Sequence, residues 1–290
     1  MLSLKKRIYM ISLVFLCICY SEVLYAYSAD GVITIGLFPR RSAAKTVSYF
    51  KPLEVYLSKK LNRKVRLHVS KDFPSFWKRV QQSKFDLVNY NQYHYIVSHK
   101  KFGYDVILKN KEFGESTITG SIIVRKDSGI NSVKDLAGKR VLFGGGSRAM
   151  QSYIYARYLL ESNGLKQEDY IVQFAKNPTS AIVATYYNHA EAAGSGDKNL
   201  YLDVVNDLVD IKEMKYLVKG KQLAHLPWAV HKSVPLALKK SIQTILSNLK
   251  NTKEGLSILK SAELDSFEIA TDEEYNPHRD IVKKVLRETY

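Results

Sequence analysis

The hydrophobic pattern of the chain alternates between strand-like and helix-like segments. Val32–Leu37 is rich in β-branched residues and is followed by Pro39, which predicts a strand leaving into a loop. The next segment predicts a helix, because apolar residues recur there at three- and four-residue intervals: Phe50, Leu53, Leu57 and Leu61. Pro52 is compatible with that helix only in its first turn, because proline lacks the N–H that an interior position needs.

This alternation continues to the C-terminus with one interruption. Further strands are predicted at 65–69, 85–88, 104–108, 140–143 and 170–175, and helices at 72–82, 150–161 and 179–187. Thr117–Val124 is strand-like without a preceding helix, and the strand–helix rhythm then restarts at Val133. The pattern predicts an α/β protein in which lobe 2 (118–224) is inserted into lobe 1 (30–117 and 225–290). Two chain crossings would form the hinge of a clamp.

The N-terminal segment has a different pattern. Lys5, Lys6 and Arg7 precede an apolar run, Ile8–Tyr20, and small residues follow near Ala26. This order is typical of a secretory signal peptide, predicted here as 1–26, and it favours a periplasmic location. An uncleaved membrane anchor is the alternative, although the run is shorter than the ~20 apolar residues of a spanning helix. Both cysteines lie in this segment, so we expect no disulfide or thiol chemistry in the exported chain.

Charge narrows the classes of partner. The formal net charge of +16 favours an anionic partner. The basic residues are dispersed and no nucleic-acid-binding motif accompanies them, so nucleic acid is not expected as a partner. The seven histidines show no metal-binding spacing, and HExxH is absent, so neither a metal nor another cofactor is predicted.

Gly144–Arg148 joins a predicted strand to a predicted helix and has three interpretations. It could be a plain glycine turn, as is common between a strand and a helix. It could capture an anion through Gly145, Gly146 and Ser147 at the helix N-terminus, with Arg148 adding charge. It could also be a nucleophile elbow, with Ser147 attacking and Asp197 with His225 or His231 completing a triad. We favour anion capture over the plain turn, and both over the hydrolase.

Other candidate ligand contacts lie where predicted strands end, since ligands of open α/β sheets bind at the carboxyl ends of strands. Asn89 and Tyr90 directly follow a strand, whereas Tyr95 is expected in the core. Thr179 and Ser180 could contact ligand or cap a helix. The remaining candidates are Phe38, Tyr49 and Ser195.

Several stretches together resemble one family. Phe85–Tyr95 is similar to the FDxxxxNPYHY stretch of periplasmic solute-binding proteins of the phosphate/phosphite/phosphonate ABC-transporter family. Gly120–Ser128 resembles that family's crossing strand, and Asp135–Val141 its DLxGKxV segment. Ile35–Pro39 and Pro52–Leu57 also fit, so the resemblance extends over the chain from about Val32 to the C-terminal helices.

The resemblance implies a type II periplasmic-binding-protein fold. Two open mixed sheets flanked by helices would be joined by a two-strand hinge and would close on a small anion without chemistry. It implies a monomer that delivers its ligand to an ABC permease. Presentation to a membrane sensor kinase is the alternative.

This chain departs from the phosphonate binders of the family at three positions. Its turn at Gly144–Arg148 has one hydroxyl, Asn177-Pro178 stands where a histidine is usual, and Gly194-Ser195-Gly196 stands where an acidic residue is expected. A different oxyanion or a small organic anion therefore remains as consistent with the sequence as a phosphonate.

Overall fold

A computed structural model describes residues 31–290, and the predicted signal peptide lies outside the described residues. Two mixed sheets form the framework. From here on, lobe 1 denotes the six-stranded sheet with the helices that pack on it, and lobe 2 denotes the five-stranded sheet with its helices. The six-stranded sheet has the order β13-β4-β12-β3-β1-β2. Its strands are β1 (Ile33–Leu37), β2 (Val65–Val69), β3 (Leu87–Asn89), β4 (Tyr104–Lys111), β12 (Pro227–His231) and β13 (Ser266–Ile269).

The second sheet is five-stranded and belongs to lobe 2. Its strands are β6 (Gly120–Arg125), β7 (Arg140–Gly144), β8 (Ile171–Ala175), β9 (Ala192–Gly196) and β10 (Met214–Lys219), in the order β10-β6-β9-β7-β8. In both sheets a parallel group is extended by antiparallel strands on one side. The predicted α/β class with two mixed sheets is therefore confirmed.

Two short strands connect the lobes. β5 (Thr117–Ile118) pairs antiparallel with β11 (Leu223–Ala224) in a sheet of their own. The segment Thr117–Val124, predicted as one strand, is therefore two strands interrupted at Thr119. The interruption lets the chain leave one sheet and enter the other.

Helices cover the faces of both sheets. The α-helices are Ala43–Leu61, Phe73–Gln81, Gln92–Phe102, Ala156–Ser162, Pro178–Tyr186, Asp203–Asn206, Leu236–Ser247, Lys253–Ser261 and Asn276–Leu286. Short 3₁₀ turns occupy Val133–Leu136, Gln167–Asp169, Asp197–Tyr201, Ile211–Glu213, Leu249–Asn251 and Asp272–Tyr275. A π-helical turn, Met150–Tyr155, runs directly into Ala156–Ser162. Within residues 31–290, no helix combines the length and hydropathy that a membrane crossing requires.

The expectation for Pro52 was wrong. Pro52 lies in the middle of the 19-residue helix Ala43–Leu61. An interior proline costs a helix about 3 kcal/mol. The helix persists because one of its faces packs on the core of lobe 1, burying Phe50, Leu53 and Leu57 among other residues. Full burial of such side chains contributes about 1.5–3 kcal/mol each, which outweighs the local defect.

Candidate ligand-binding site

A cavity of about 40 Å³ lies between the two lobes, beside the hinge strands. One water molecule needs roughly 10–15 Å³ of such volume, so the cavity has room for a compact group of a few non-hydrogen atoms. Lobe 1 lines the cavity with Phe38, Arg40, Phe73, Asn91 and Gln92. Lobe 2 lines it with residues 149–152, Pro178 and Asn199.

Four helical segments begin at this cavity. Asp72 caps Phe73–Gln81, Asn91 caps Gln92–Phe102 and Asn177 caps Pro178–Tyr186, in each case by accepting a backbone N–H with the side chain. The fourth is the π turn that starts at Met150. The first N–H groups of a helix have no partner within it, and the helix dipole makes this end partly positive. The convergence of these ends therefore favours an anion in the cavity.

The glycine turn brings two of these helical ends together. Gly144 lies so near the start of Pro178–Tyr186 that an added Cβ would be 2.2 Å from Pro178 Cα. Gly145 and Gly146 follow with φ angles of +84° and +87°, a left-handed conformation that favours glycine. The glycine segment therefore places the start of the π turn next to the start of the helix Pro178–Tyr186. Ser147 is exposed, and Ala149 is the next residue to line the cavity.

Arg40 connects the lobes at the edge of the cavity. Its Nη1 donates to both carboxylate oxygens of Glu112, at 2.8 and 2.9 Å. Its Nη2 and Nε donate across the cleft to Oδ1 of Asn199, at 3.0 and 3.3 Å. Asn199 in turn donates to Oγ of Ser195 in lobe 2. Because the guanidinium is neutralised by Glu112, it positions the lobes and does not contribute a net positive charge to the cavity.

Glu112 is almost fully buried beneath this arginine. Burial alone would raise the pKa of its carboxyl, but Arg40, His225, Arg41 and a hydrogen bond from Asn110 outweigh burial and lower the pKa to about 2. His225 lies with Nε2 3.8 Å from Oε2 of Glu112. Burial lowers the pKa of His225 to about 4 despite the opposing effect of Glu112, so this imidazole is neutral at pH 7.

Arg148 points away from the cavity. Its Nη2 lies 2.8 Å from Oε1 of Glu288, and its guanidinium lies over the ring of Tyr93, 5.3 Å from the centroid. Its carbonyl oxygen accepts a hydrogen bond from Nδ2 of Asn91. Tyr93 and Asn91 belong to lobe 1, so Arg148 fastens lobe 2 to lobe 1 and its charge is engaged by Glu288.

The other predicted site residues are scattered relative to the cavity. Phe38 lines it and packs against Phe73, with ring centroids 6.1 Å apart. Asn89 lies behind Arg40 and donates to the carbonyl of Pro227. Tyr90 is fully buried in the aromatic core of lobe 1, although it directly follows a strand.

Three further predicted residues have structural partners. Tyr49 packs on lobe 1, beneath the guanidinium of Arg41. Thr179 and Ser180 both donate their hydroxyls to Oδ1 of Asn177, and they line a wider groove of about 440 Å³ outside the cavity. The cap of this helix is Asn177, whose Oδ1 also accepts from the N–H of Ser180, so the two hydroxyls bond to the cap residue.

The residues named for a hydrolytic triad are held apart. Asp197 accepts hydrogen bonds from the backbone N–H of Thr119 and from Gln222. His225 accepts through Nδ1 from the N–H of Leu226, and His231 contacts Ser233. Ser147 is exposed on the glycine turn, whereas Asp197 and His225 are buried and bonded elsewhere, so none of the contacts described here joins Ser147 to these residues.

Sequence reasoning missed several polar residues that line the cavity, among them Gln92, Gln151 and Asn199. Gln92 follows the Asn89–Asn91 strand exit, which could have pointed to it. Gln151 and Asn199 lie inside helical segments and carry no motif, so no local signal distinguished them. Within residues 31–290, no group of three His, Cys, Asp or Glu side chains could hold a metal ion.

Comparison with known proteins adds family and fold information. Residues 35–275 match a family model described as ABC transporter, phosphonate, periplasmic substrate-binding protein. A Pseudomonas aeruginosa binding-protein component of an ABC phosphonate transporter is similar in structure, with a TM-score of 0.79 and 14% identity, over 89% of this chain and 87% of that chain. PhnD1 from Prochlorococcus marinus, solved with methylphosphonate, has a TM-score of 0.78 and 16% identity, over 89% and 99% of the two chains.

A curated relative belongs to a different functional class. The chain is 30% identical over 162 residues to the tetrathionate sensor histidine kinase TtrS of Salmonella typhimurium. That alignment covers 53% of this chain and 27% of the kinase, so this chain spans only part of its relative's length.

Proposed function

Since the chain belongs to the family of periplasmic substrate-binding proteins of phosphonate ABC transporters, we propose that it captures a small oxyanion in the cavity between its lobes. The observation that carries this proposal is the convergence of four helical starts, drawn from both lobes, on one compact cavity. The family is extracytoplasmic. We further propose that residues 1–26 direct export and that the loaded monomer delivers its ligand to a membrane permease.

The proposed mechanism is hinge closure. In the structure, Arg40 of lobe 1 bonds to Asn199 of lobe 2, and Arg148 of lobe 2 contacts Tyr93 and Glu288 of lobe 1. A ligand held by the helical starts of both lobes would add contacts that exist only when the lobes are together. It would therefore shift the population toward the closed form.

In this proposal the anion is held by backbone N–H groups at the starts of the π turn and of Gln92–Phe102. Phe38 and Phe73 form the apolar wall, and Gly145 and Gly146 set the approach of the π turn. Ser147, Thr179, Ser180 and Tyr49 lie outside the cavity lining and are not proposed as ligand contacts. Neutral donors and helix dipoles therefore provide the binding, because Arg40 and Arg148 are already paired with carboxylates.

Calorimetry with phosphate, phosphite, methylphosphonate and methanesulfonate tests the proposal. Ala149→Leu is the site variant, because Ala149 lines the cavity and the three added carbon atoms would occupy the space proposed for the anion. Ala237→Leu is the matched control at an exposed helical position in lobe 1. We expect the wild type and Ala237→Leu to bind an oxyanion and Ala149→Leu to lose binding while remaining folded. Failure of the wild type to bind any of these anions would refute the proposed ligand class.

Presentation of the ligand to a sensor kinase is a second candidate, favoured by the similarity to the Salmonella tetrathionate sensor kinase. Tetrathionate should be included in the calorimetric series for this reason. If the ligand-loaded protein captures a histidine kinase from a lysate of the cells that produce it, presentation to a sensor kinase is supported. Capture of a permease with its ATPase would support transport.

A further inference from the structure

The basic residues are dispersed along the sequence but are not shared evenly between the lobes. Residues 31–117, which belong mainly to lobe 1, carry 17 Lys and Arg against 6 Asp and Glu, whereas residues 118–224 carry 14 against 11. Like charges that are held close together destabilise a fold. An excess of this kind on one lobe therefore favours a partner of opposite charge.

Several segments of lobe 1 meet where its parallel strands begin. The N–H of Ile33, at the start of β1, donates to the carbonyl of Lys64, directly before β2. The N–H of Asp86, directly before β3, donates to the carbonyl of Thr34. The end of β12 joins them, because the N–H of His231 donates to the carbonyl of Asp86. One end of the sheet therefore presents the loops before β2 and β3 together with the loop after β12.

The segments at this end of lobe 1 carry six exposed lysines, which together form the basic face: Lys59, Lys60, Lys64, Lys84, Lys232 and Lys240. The helix Ala43–Leu61 ends here with Lys60 in its last turn, and the helix Leu236–Ser247 begins here and contains Lys240. These two lysines line the same surface groove. Lysines that are distant in the sequence are therefore brought together by the fold.

Neighbouring carboxylates do not neutralise the basic face. Within residues 31–290, none of its six lysines forms an ion pair with Asp or Glu. The acids of the same segments are engaged elsewhere: Asp86 accepts from the N–H of Thr34, and Asp105 pairs with Lys239. The positive charge of this face is therefore available to a partner.

Apolar side chains are exposed at the same end of the lobe. Leu236, which follows β12, is 65% exposed, and Val32, directly before β1, is 37% exposed. Leu236 lies between Lys232 and Lys240 in the sequence. At the surface of an anionic bilayer, lipid phosphates attract ammonium groups and an apolar side chain can enter the boundary of the acyl chains. An acidic soluble protein would match the lysines but gives no specific reason for the exposed leucine.

The course of the chain also relates this face to a membrane. Because β1 begins here, the sequence that precedes it joins the folded protein at the basic face. That sequence contains the apolar run Ile8–Tyr20, predicted as part of a signal peptide or, alternatively, as a membrane anchor. Ten residues separate Tyr20 from Gly31. Ten residues span at most about 36 Å when extended, so an apolar run held in a bilayer would keep the basic face near its surface.

We propose that the basic face docks lobe 1 on an anionic lipid bilayer. The lysine ammonium groups contact lipid phosphates, and Leu236 lies at the boundary of the acyl chains. The ligand cavity lies at the opposite ends of the strands, where Phe38 follows β1 and Asn91 follows β3. Docking therefore directs the cavity away from the bilayer. This inference goes beyond the proposed function and does not depend on the ligand.

Flotation with lipid vesicles tests the proposal. The protein is used without residues 1–26, so that the apolar run cannot itself insert, and it retains both sheets. Vesicles of phosphatidylcholine alone are compared with vesicles that contain about 30% phosphatidylglycerol. We expect binding only to the anionic vesicles at low ionic strength. Binding should be lost at about 0.5 M salt, because screening then confines the attraction to a few ångströms.

Variants assign the binding to the basic face. The site variant replaces three of its lysines, and the control replaces three exposed lysines of lobe 2 with the same change in net charge. A lysine near an anionic surface contributes roughly a fivefold gain in affinity, so the site variant should bind about 100-fold more weakly and the control nearly as well as the wild type. The site variant is Lys60→Gln, Lys64→Gln and Lys240→Gln, and the control is Lys126→Gln, Lys134→Gln and Lys139→Gln.

The contribution of the exposed leucine is measured separately. Leu236→Ser should weaken binding to the anionic vesicles several-fold. The matched control is Leu256→Ser, at a residue of lobe 1 that is 53% exposed but lies on the helix Lys253–Ser261, outside the basic face. The control should bind like the wild type. Equal effects of the two substitutions would refute the role of Leu236.

The remaining outcomes decide the proposal as a whole. Absence of binding to anionic vesicles at low ionic strength would overturn it, as would equal binding to both kinds of vesicle. Equal losses in the two triple variants would show that net charge, and not the basic face, is responsible. Calorimetry of the triple variants with the oxyanions should match the wild type, so failure of docking is distinguishable from failure of the proposed function.

Discussion

Three buried histidines make the stability of this protein sensitive to mild acid. His94 and His278 are almost completely buried, and burial lowers the pKa of each to about 3. His225 is equally buried, with a pKa lowered to about 4. In the unfolded chain each imidazole has a pKa of about 6.5. The perturbation that tests this arrangement is a change of pH from 7 to 5.

The sign and size of the effect follow from proton uptake. As the pH is lowered from 7 to 5, the unfolded chain binds protons at these histidines and the folded chain does not. The free energy of unfolding must therefore decrease as the pH is lowered. Each histidine removes about 2 kcal/mol over this range, and the three together remove about 6 kcal/mol. A typical domain has only about 5–15 kcal/mol of stability, so most of it should be lost by pH 5. Glu112 does not contribute there, because its folded pKa of about 2 and its ordinary value of 4.5 both lie lower.

Urea unfolding, followed by tryptophan fluorescence at pH 7, 6 and 5, measures the loss. His94→Phe is the informative variant, because the His94 ring is stacked with Phe73 and lies 4.7 Å from the ring centroid of Trp77. This variant should lose about 2 kcal/mol less than the wild type between pH 7 and pH 5. His189→Phe, at an exposed position, should retain the wild-type dependence. A wild type with equal stability at pH 7 and pH 5, or a His94→Phe variant with the same slope, would refute the reasoning.

Two further predictions concern the glycine turn and the buried ion pair. Gly144→Ala should lower the melting temperature far more than Gly146→Ala, because the added Cβ at residue 144 would meet the backbone of residues 177 and 178. The Cβ added by Gly146→Ala would face open space, so that substitution should cost only about 1 kcal/mol, for an alanine in the left-handed conformation. Equal effects would contradict this packing. Glu112→Gln should destabilise the protein by about 3–5 kcal/mol, measured by urea unfolding, because it leaves Arg40 buried without a countercharge. The control Glu168→Gln, at an exposed position, should have almost no effect. A Glu112→Gln variant as stable as the wild type would show that the pair is dispensable.

Much of the fold was predictable because its signals are local. The spacing of apolar residues identified most strands and helices, and the restart near Val133 predicted a second sheet. A helix was predicted at 72–82, and Asp72 caps the observed one, Phe73–Gln81, with its carboxylate accepting from the N–H of Ser75. Pro52 shows the limit of local rules, since packing on the core outweighed the preference of one residue.

The composition of the cavity depended on contacts between distant residues. Arg40 and Asn199 are 159 residues apart and meet only because the hinge brings the two sheets together. Tyr90 and Arg148 were expected to contact the ligand because they lie next to a strand end and a helix start. In the structure Tyr90 lies in the core and Arg148 pairs with Glu288.

The sequence by itself determined the α/β class, the restart that predicts two lobes and the glycine turn between β7 and the π turn, because each depends on neighbours in the chain. Only the tertiary structure decided which side chains face the cavity. That outcome depends on how two lobes are placed across a hinge, and hydrophobic periodicity carries no information about that placement. The glutamines of the cavity, Gln92 and Gln151, are therefore evident only once the fold is assembled.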